Sequence, residues 1–333
     1  MKDKILTIAI PSFNTEEFME KNIQTMMCST VFEDVEILII NDGSKDGTKD
    51  KAEKLYRKYP ETIRVVNKEN GGHGSVINRG IIEATGKYFK VIDGDDYVNS
   101  DQFDRFVKML HSLDVDCILN DFNTVSVVTG NVTRINPIQN ENHISYDRIY
   151  NFEDALSDLY ITIHSVTYKT AILKEHFDDI KFTEKVFYED LEYVTYPIMY
   201  MSSVYISSFN VYQYLIDQKS QSVSNESHKK NISHSLIGIR NMSKKYEMVK
   251  QRLSDQKKLY FKEMIANRIV GVYKIYLTFN EECKARWLEL KRFDEELLSI
   301  SREIYEYSYS KRIVKVLRRK SYFWFRLVSI VKG

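Results

Sequence analysis

Four residues, Asp93-Gly94-Asp95-Asp96, stand directly after the apolar run Tyr88-Phe89-Lys90-Val91-Ile92. Three carboxylates this close repel one another when ionised and unpaired. A hard divalent cation with oxygen ligands, Mg2+ or Mn2+, relieves that repulsion. Such ions usually take one or two carboxylates and complete their shell with water and substrate phosphates. That suits a nucleoside diphosphate. The plainer alternative is an acidic turn capping a helix that begins near Ser100.

Three further clusters carry chemistry. Asn41-Asp42-Gly43-Ser44 follows another apolar run, and Asp42 could accept a hydrogen bond from a nucleobase; a plain turn with Asp46 capping a helix is the alternative. Asn67-Lys68-Glu69-Asn70-Gly71-Gly72-His73-Gly74-Ser75 is a glycine-rich turn entering a helix, which offers free backbone N–H groups to an anion. Its spacing is neither G-x-G-x-x-G, since Ile77 replaces the third glycine, nor a P-loop. Phe187-Tyr188-Glu189-Asp190-Leu191 sets two acids at a helix start, where the helix dipole favours them and where simple capping would also put them.

The elements that must position these groups alternate. Strand patterns at 5–10, 35–40, 63–66 and 88–92 alternate with helical spacing at 16–28, 46–59 and 74–85. Pro11 is read as the end of the first strand. A βαβαβ succession implies a parallel sheet, and ligands bind outside the carboxyl ends of its strands. Asn14, Asp42, Asn70 and Asp93 to Asp96 all follow strands and should converge there. Beyond 100 the spacing predicts a helix at 101–112, strands at 116–120 and 123–128, and helices at 152–160, 170–176 and 189–201. A strand pair at 204–214 and a polar loop at 218–227 follow, and 228–331 is helical throughout. Three parts result: 1–100, 101–225 and 226–333.

Composition narrows the classes. The chain of 333 residues holds 48 Lys and Arg against 47 Asp and Glu, so no global basic field for nucleic acid exists. Three scattered cysteines without a C-x-x-C give neither a disulfide framework nor a zinc site, and a reducing, cytoplasmic setting is expected. No apolar run is long enough to span a bilayer. The last segment, from Lys311 on, is basic without acids and carries Ile313, Leu317, Trp324, Leu327, Val328 and Val331 on one helical face. It fits an interfacial helix on an anionic membrane, and equally a helix docked on this chain or on a second copy of it.

In this order the motifs resemble glycosyltransferase family 2. The likeness covers about 4–215 and rests on Ile8-Ala9-Ile10-Pro11-Ser12-Phe13-Asn14, Ile39-Ile40-Asn41-Asp42-Gly43-Ser44, Glu69-Asn70-Gly71-Gly72 with Asn78-Arg79-Gly80, Asp93-Gly94-Asp95-Asp96, and Glu189-Asp190. The resemblance implies an α/β GT-A fold, a Rossmann-like nucleotide-binding sheet flanked by helices, with a C-terminal helical extension. It implies a metal-dependent enzyme that moves one sugar, with inversion, from a nucleotide sugar (a UDP-sugar) to a saccharide or lipid-linked acceptor in surface polysaccharide, glycolipid or teichoic-acid-type assembly.

Residue by residue, Pro11 and Phe13 would line the base pocket, with Asn14, Asn70, Gly72 and Gly94 also on the donor side. Asp42 would accept from the base, Asp93 would approach the ribose and the metal, and Asp95 would ligate the Mn2+ or Mg2+. Asp190 would be the general base beside Glu189, and His164 and Tyr188 would serve the acceptor. Two departures stand out. Val76-Ile77 replace the family's usual Ala-Arg before Asn78, so a phosphate contact would fall to Lys68 or Arg79, and Ser100 replaces a common proline. The Gln-x-x-Arg-Trp element of processive synthases is missing. Competing readings are a sugar-phosphate nucleotidyltransferase, which normally has a basic glycine-rich segment where Pro11-Ser12-Phe13-Asn14 stands, and an inactive scaffold subunit.

Overall fold

The computed structural model describes residues 3–27, 30–218, 225–279, 283–319 and 325–326. The chain divides into two compact units, 1–185 with 196–219, and 186–195 with 220–333.

The first unit opens with β1 (Leu6–Ser12), α1 (Glu16–Met27), β2 (Val35–Asp42), α2 (Thr48–Lys58), β3 (Ile63–Lys68), α3 (His73–Glu83) and β4 (Tyr88–Val91). β1 lies between β2 and β4 and is parallel to both, and β3 is parallel to β2. Every residue of β1, β2 and β4 is buried, which explains their largely apolar runs, interrupted by Glu36 and Lys90. Pro11 does not end β1, contrary to expectation; it pairs with Ile40. The ladder to β4 stops at Ala9–Val91, so the missing N–H of Pro11 breaks no bond on that side.

The unit continues with β5 (Tyr97–Val98), α4 (Ser100–Leu110), β6 (Cys117–Ser126), β7 (Val132–Ile135), β8 (Arg148–Asn151), α5 (Phe152–Ala155), β9 (Val166–Lys169), α6 (Thr170–Glu175) and α7 (Phe177–Ile180). The two strands expected at 116–128 are one, β6. The helix expected at 152–160 is a single turn followed by a 3-10 turn. The helix expected at 189–201 breaks too: α8 (Asp190–Tyr193) is one turn, and Pro197, which lacks the N–H to extend it, opens a separate 3-10 turn.

The pair expected at 204–214 is one strand, β10 (Ser203–Ile216). Its register against β6 shifts between Ser207 and Tyr212, and this bulge breaks the alternation. The ten strands form one mixed sheet, with main order β3-β2-β1-β4-β9-β6-β10-β5. Residues of both 1–100 and 101–225 therefore contribute to a single sheet. Ile8, Ile10, Ile37 and Ile39 face Ile23, Phe103, Phe106 and Leu110 in its core.

The second unit holds α8 with α9 (Asn225–Lys230), α10 (Ile232–Val249), α11 (Asp255–Tyr276), α12 (Cys283–Ile300), α13 (Arg302–Tyr307) and α14 (Arg312–Arg319). Asn225 to Ser227, expected in a polar loop, open α9. Val314 and Leu317 of α14 are buried, whereas Trp324, Leu327, Val328 and Val331 lie outside the described residues. Arg318, one of the basic residues of this segment, is buried, as the docked reading expects of part of the helix. Its Nε lies 2.9 Å from Asp294 Oδ1 and 3.0 Å from the Tyr273 hydroxyl. Its Nη1 donates to the Tyr305 carbonyl at 2.9 Å and to Ser308 Oγ at 2.6 Å. One guanidinium thus ties α14 to α11, α12 and α13. The described part of the tail is docked on its own unit.

Removing one partner of such a pair strands the other charge in a low-dielectric interior. Arg318→Leu should lower unfolding free energy by about 3–5 kcal/mol in urea titrations followed by circular dichroism. Replacing Asp294 by Leu as well should recover part of that loss. A single substitution costing under about 1 kcal/mol would contradict this account.

Candidate functional site

Parallel register brings the ends of β1, β2 and β3 to one edge, since Ser12 pairs with Asn41 and Asp42 with Lys68. β4 points the same way and delivers Asp93 to Asp96 just beyond Val91. The acidic turn closes through the Asp96 amide, which donates to the Asp93 carbonyl at 3.1 Å. Asn22 of α1 donates to the carbonyls of both Asp93 and Asp96 at 2.9 Å. At Gly94 a Cβ would stand 2.6 Å from the Pro11 carbonyl oxygen, so only glycine lets the turn lie against β1. The acids do not cap α4; Asn99 does, accepting from the Gln102 amide.

The three carboxylates occupy different settings. Asp96 is buried, and both its oxygens have donors: the Tyr212 hydroxyl at 2.6 Å and the Leu215 amide at 2.7 Å. Asp93 Oδ1 lies 2.9 Å from His73 Nε2, and its amide donates to the Tyr212 hydroxyl. Asp95 accepts from Gln218 Nε2 at 3.4 Å. Burial, then the charge of Asp93, push Asp95 above the usual carboxylate range and Asp96 well above it. Asp93 goes the other way: burial would raise it, but the His73 imidazole and further polar neighbours bring it below its ordinary value.

His164 completes this edge. Its ring stacks on Tyr214 at 4.3 Å and meets Tyr212 edge-on at 4.9 Å. Burial pushes its pKa down to about 4, so the imidazole is neutral near pH 7 and keeps a lone pair. Among the described residues, Asp93, Asp96 and His164 form a group whose potential ligand atoms lie within 4.8 Å of one another. Asp95, the expected ligand, is not in that group, and Asp96 already accepts one hydrogen bond on each oxygen. The acid cluster still fits a divalent cation. Two of its three carboxylates are driven toward neutrality by burial and mutual repulsion, and a cation at Asp93 and Asp95 would reverse that.

Asp42 organises the glycine loop. Its Oδ1 accepts from the Gly71 amide at 2.9 Å and from Lys68 Nζ at 2.6 Å, and its Oδ2 accepts from the Gly72 amide at 2.8 Å. Gly72 takes φ 80°, in the left-handed region that a side chain disfavours. Asn70 donates to the Asp42 carbonyl. Lys68 also donates to Ser75, whereas Arg79 pairs with Glu83 within α3. At the end of β1 Pro11 is buried, and the Phe13 ring is 48% exposed. Asn14, at φ 55°, accepts from the Lys45 amide and donates its own amide to Ser44.

The remaining candidates belong to the helical unit. Glu189 is buried and Asp190 is exposed at the start of α8, where no side chain caps the helix. Tyr188 takes φ 73°, strained for a bulky residue, with its ring stacked on His228 and Arg268 4.3 Å above it. Burial lowers Arg268, and the acidic side chains of Asp190 and Glu189 work against that.

Several residues at the acidic turn were not singled out from sequence. His73 was visible as an imidazole inside the glycine loop. Lys90 was visible as a lone cation in an otherwise apolar strand; burial takes it down to about 7. Asn22, Tyr212 and Gln218 left no local signal, because their partners lie 71 to 123 residues away.

The 1–349 portion of S. aureus TarS, solved in complex with UDP-GlcNAc, superposes with a TM-score of 0.68 at 17% identity, over 98% of this chain and 90% of that one. The fold is that of GT-A glycosyltransferases. An uncharacterised glycosyltransferase of Bacillus subtilis (strain 168), EpsJ, is 37% identical over 114 residues, which are 34% of this chain and 33% of EpsJ. The minor teichoic acid biosynthesis protein GgaB of the same organism is 28% identical over 115 residues, 34% of this chain and 13% of GgaB. The matches thus span a third or less of these curated relatives. The family described as glycosyl transferase family 2 matches residues 7–180, more than half of the sequence, and the chain belongs to that family.

Proposed function

We propose that this chain is an inverting glycosyltransferase that moves one sugar from a nucleoside diphosphate sugar, most simply a UDP-sugar, to a hydroxyl acceptor. The observation that carries this reading is the acidic turn Asp93–Asp96 at the carboxyl edge of the parallel strands, beside a glycine loop that opens a helix. UDP-GlcNAc bound to the structurally similar TarS supports the donor class. The similarity to GgaB, a minor teichoic acid biosynthesis protein, supports a surface polymer of the teichoic-acid kind. The acceptor would be a saccharide or a lipid-linked saccharide at the cytoplasmic face of the membrane. Among the described residues no helix is long and apolar enough to cross a bilayer. Any attachment through 311–333 would use the exposed Arg312, Lys315 and Arg319 and residues beyond them.

In this reading Phe13 stacks on the base, and Pro11 and Asn14 line its pocket. Asp42 has about one acceptor site left of four, on Oδ2, for the base N–H. Asn70 and Gly72 shape the loop beside it, and Lys68 would be the cation for phosphate, since Arg79 is paired with Glu83. Asp93 and Asp95 would hold Mn2+ or Mg2+, while Gly94 lets the turn close. A bound cation would neutralise the diphosphate and make it a better leaving group. Asp190 takes the proton of the acceptor hydroxyl as the new C–O bond forms and the anomeric carbon–phosphate oxygen bond breaks. Glu189 supports that helix start, and Tyr188 and His164 are candidates for acceptor contact.

The first test is a thermal-shift screen of nucleotide sugars with and without Mn2+, since a ligand that prefers the native state raises its apparent stability. UDP-sugars should raise the melting temperature only when the metal is present. Equal UDP affinity with and without EDTA would contradict the metal role. Asp95→Asn should abolish metal-dependent UDP binding and turnover while the melting temperature of the free protein holds or rises, because one of three repelling carboxylates is gone.

Asp190→Asn should behave differently. Turnover should fall by about 10²–10⁴-fold, as expected for loss of a general base. UDP binding should stay nearly intact. A variant with normal kcat would remove Asp190 from the mechanism.

A further inference from the structure

The Lys90 side chain is wholly buried in β4, three residues before the acidic turn, and no carboxylate among the described residues pairs with it. An ammonium in such a place costs free energy unless every proton finds an acceptor. Here they do. Nζ donates to the His164 carbonyl at 2.9 Å, to the Val166 carbonyl at 3.2 Å and to Asn120 Oδ1 at 3.4 Å. All three acceptors are neutral, and two belong to the turn that enters β9.

The location has a geometric cause. The ladder between β4 and β9 ends at the pair Phe89–Tyr168. Beyond it Lys90 replaces strand pairing with side-chain donation. The turn is otherwise tied internally, by Thr162 and Ser165, and to β6, through the Asn120 amide donating to the Ser165 carbonyl at 3.0 Å. Lys90 is therefore a direct link between the strand that carries the acidic turn and the segment that carries His164.

We propose that Lys90 is a positioning residue: its ammonium fixes the 164–166 turn so that the His164 imidazole stands against Tyr214 and beside Asp93. A methionine there would fill similar volume but leave two carbonyls without this donor, and the turn would relax. The inference deepens the proposed sugar-transfer reading, and rests on it only for the donor-binding measurement below.

The experiment uses the full chain as wild type, Lys90→Met, Lys90→Gln, His164→Ala and the Lys90→Met/His164→Ala double variant. The first readout needs no ligand. The ring resonances of His164, assigned by their loss in His164→Ala, are shifted by the faces of Tyr214 and Tyr212. In Lys90→Met they should move toward those of an exposed histidine, while the resonances of His111 and His143, which are remote in sequence from this turn and exposed, stay in place.

The second readout is affinity for UDP with Mn2+. Lys90→Met should weaken it about tenfold, because His164, whatever its contact with an acceptor, has a ring nitrogen within 4.8 Å of carboxylate oxygens of Asp93 and Asp96, and loss of an outer contact commonly costs that much at a metal site. On the His164→Ala background the same change should add less than about twofold, because residues acting through one another are not additive. Unmoved His164 resonances in Lys90→Met, or a full repeat of the loss on the His164→Ala background, would overturn the proposal. If the wild type binds no UDP with Mn2+, the sugar-transfer reading fails, and the resonances still decide the role of Lys90. If Lys90→Met does not fold, Lys90→Gln, which keeps donors on a shorter side chain, is read by the same two criteria.

Discussion

A single buried carboxylate fixes the acidic turn. Asp96 receives the Tyr212 hydroxyl and the Leu215 amide, and so ties the end of β4 to β10 across the sheet. The same hydroxyl receives the Asp93 amide. One phenol thereby serves two members of the turn, and its own ionisation is pushed well up by burial and then by the two acids. With Asp96 held from below, Asp93 and Asp95 are left with weaker ties, one to an imidazole and one to a distant amide. The turn divides its labour: one acid anchors, two remain for exchangeable contacts.

The glycine loop follows a similar logic. A carboxylate, Asp42, collects two successive backbone amides and an ammonium, which stabilises a loop that would otherwise present those amides to water. Charge-assisted bonds of this kind are roughly twice as strong as neutral ones. The loop thus reaches its shape without a ligand. The Gly71 and Gly72 amides are therefore taken by Asp42, and are not the free anion-binding groups that the sequence spacing suggested.

Much of this was legible in sequence because it was local. β1, β2 and β4 are buried on both faces and read as largely apolar runs, and the acids follow them directly. What failed was set by distant partners. The bulge between Ser207 and Tyr212 made one strand look like two, and its cause is the register against β6. The helix spacing at 189–201 was real over one turn only, since Pro197 could not extend it. β5, two residues long, exists because β10 runs past it, with Tyr212 opposite Val98. The burial of Arg318 left no local signal, because its partner Asp294 lies 24 residues earlier on another helix.

The path of the chain between the two units has a bearing on how the protein is made. Residues 186–195 belong with the helices, although sheet residues flank them on both sides. Their partners come later: the Phe187 amide donates to His234, and the Tyr260 hydroxyl donates to the Val194 carbonyl. A ribosome adding about 5–20 residues per second therefore exposes this segment for several seconds before α10 and α11 emerge to receive it. During that interval Phe187, Tyr188 and Tyr193 have none of their final neighbours from those helices. Nascent chains stalled between 220 and 250 would hold this stretch without those helices, and Glu189, Asp190 and Glu192 are the charges that keep it hydrated meanwhile.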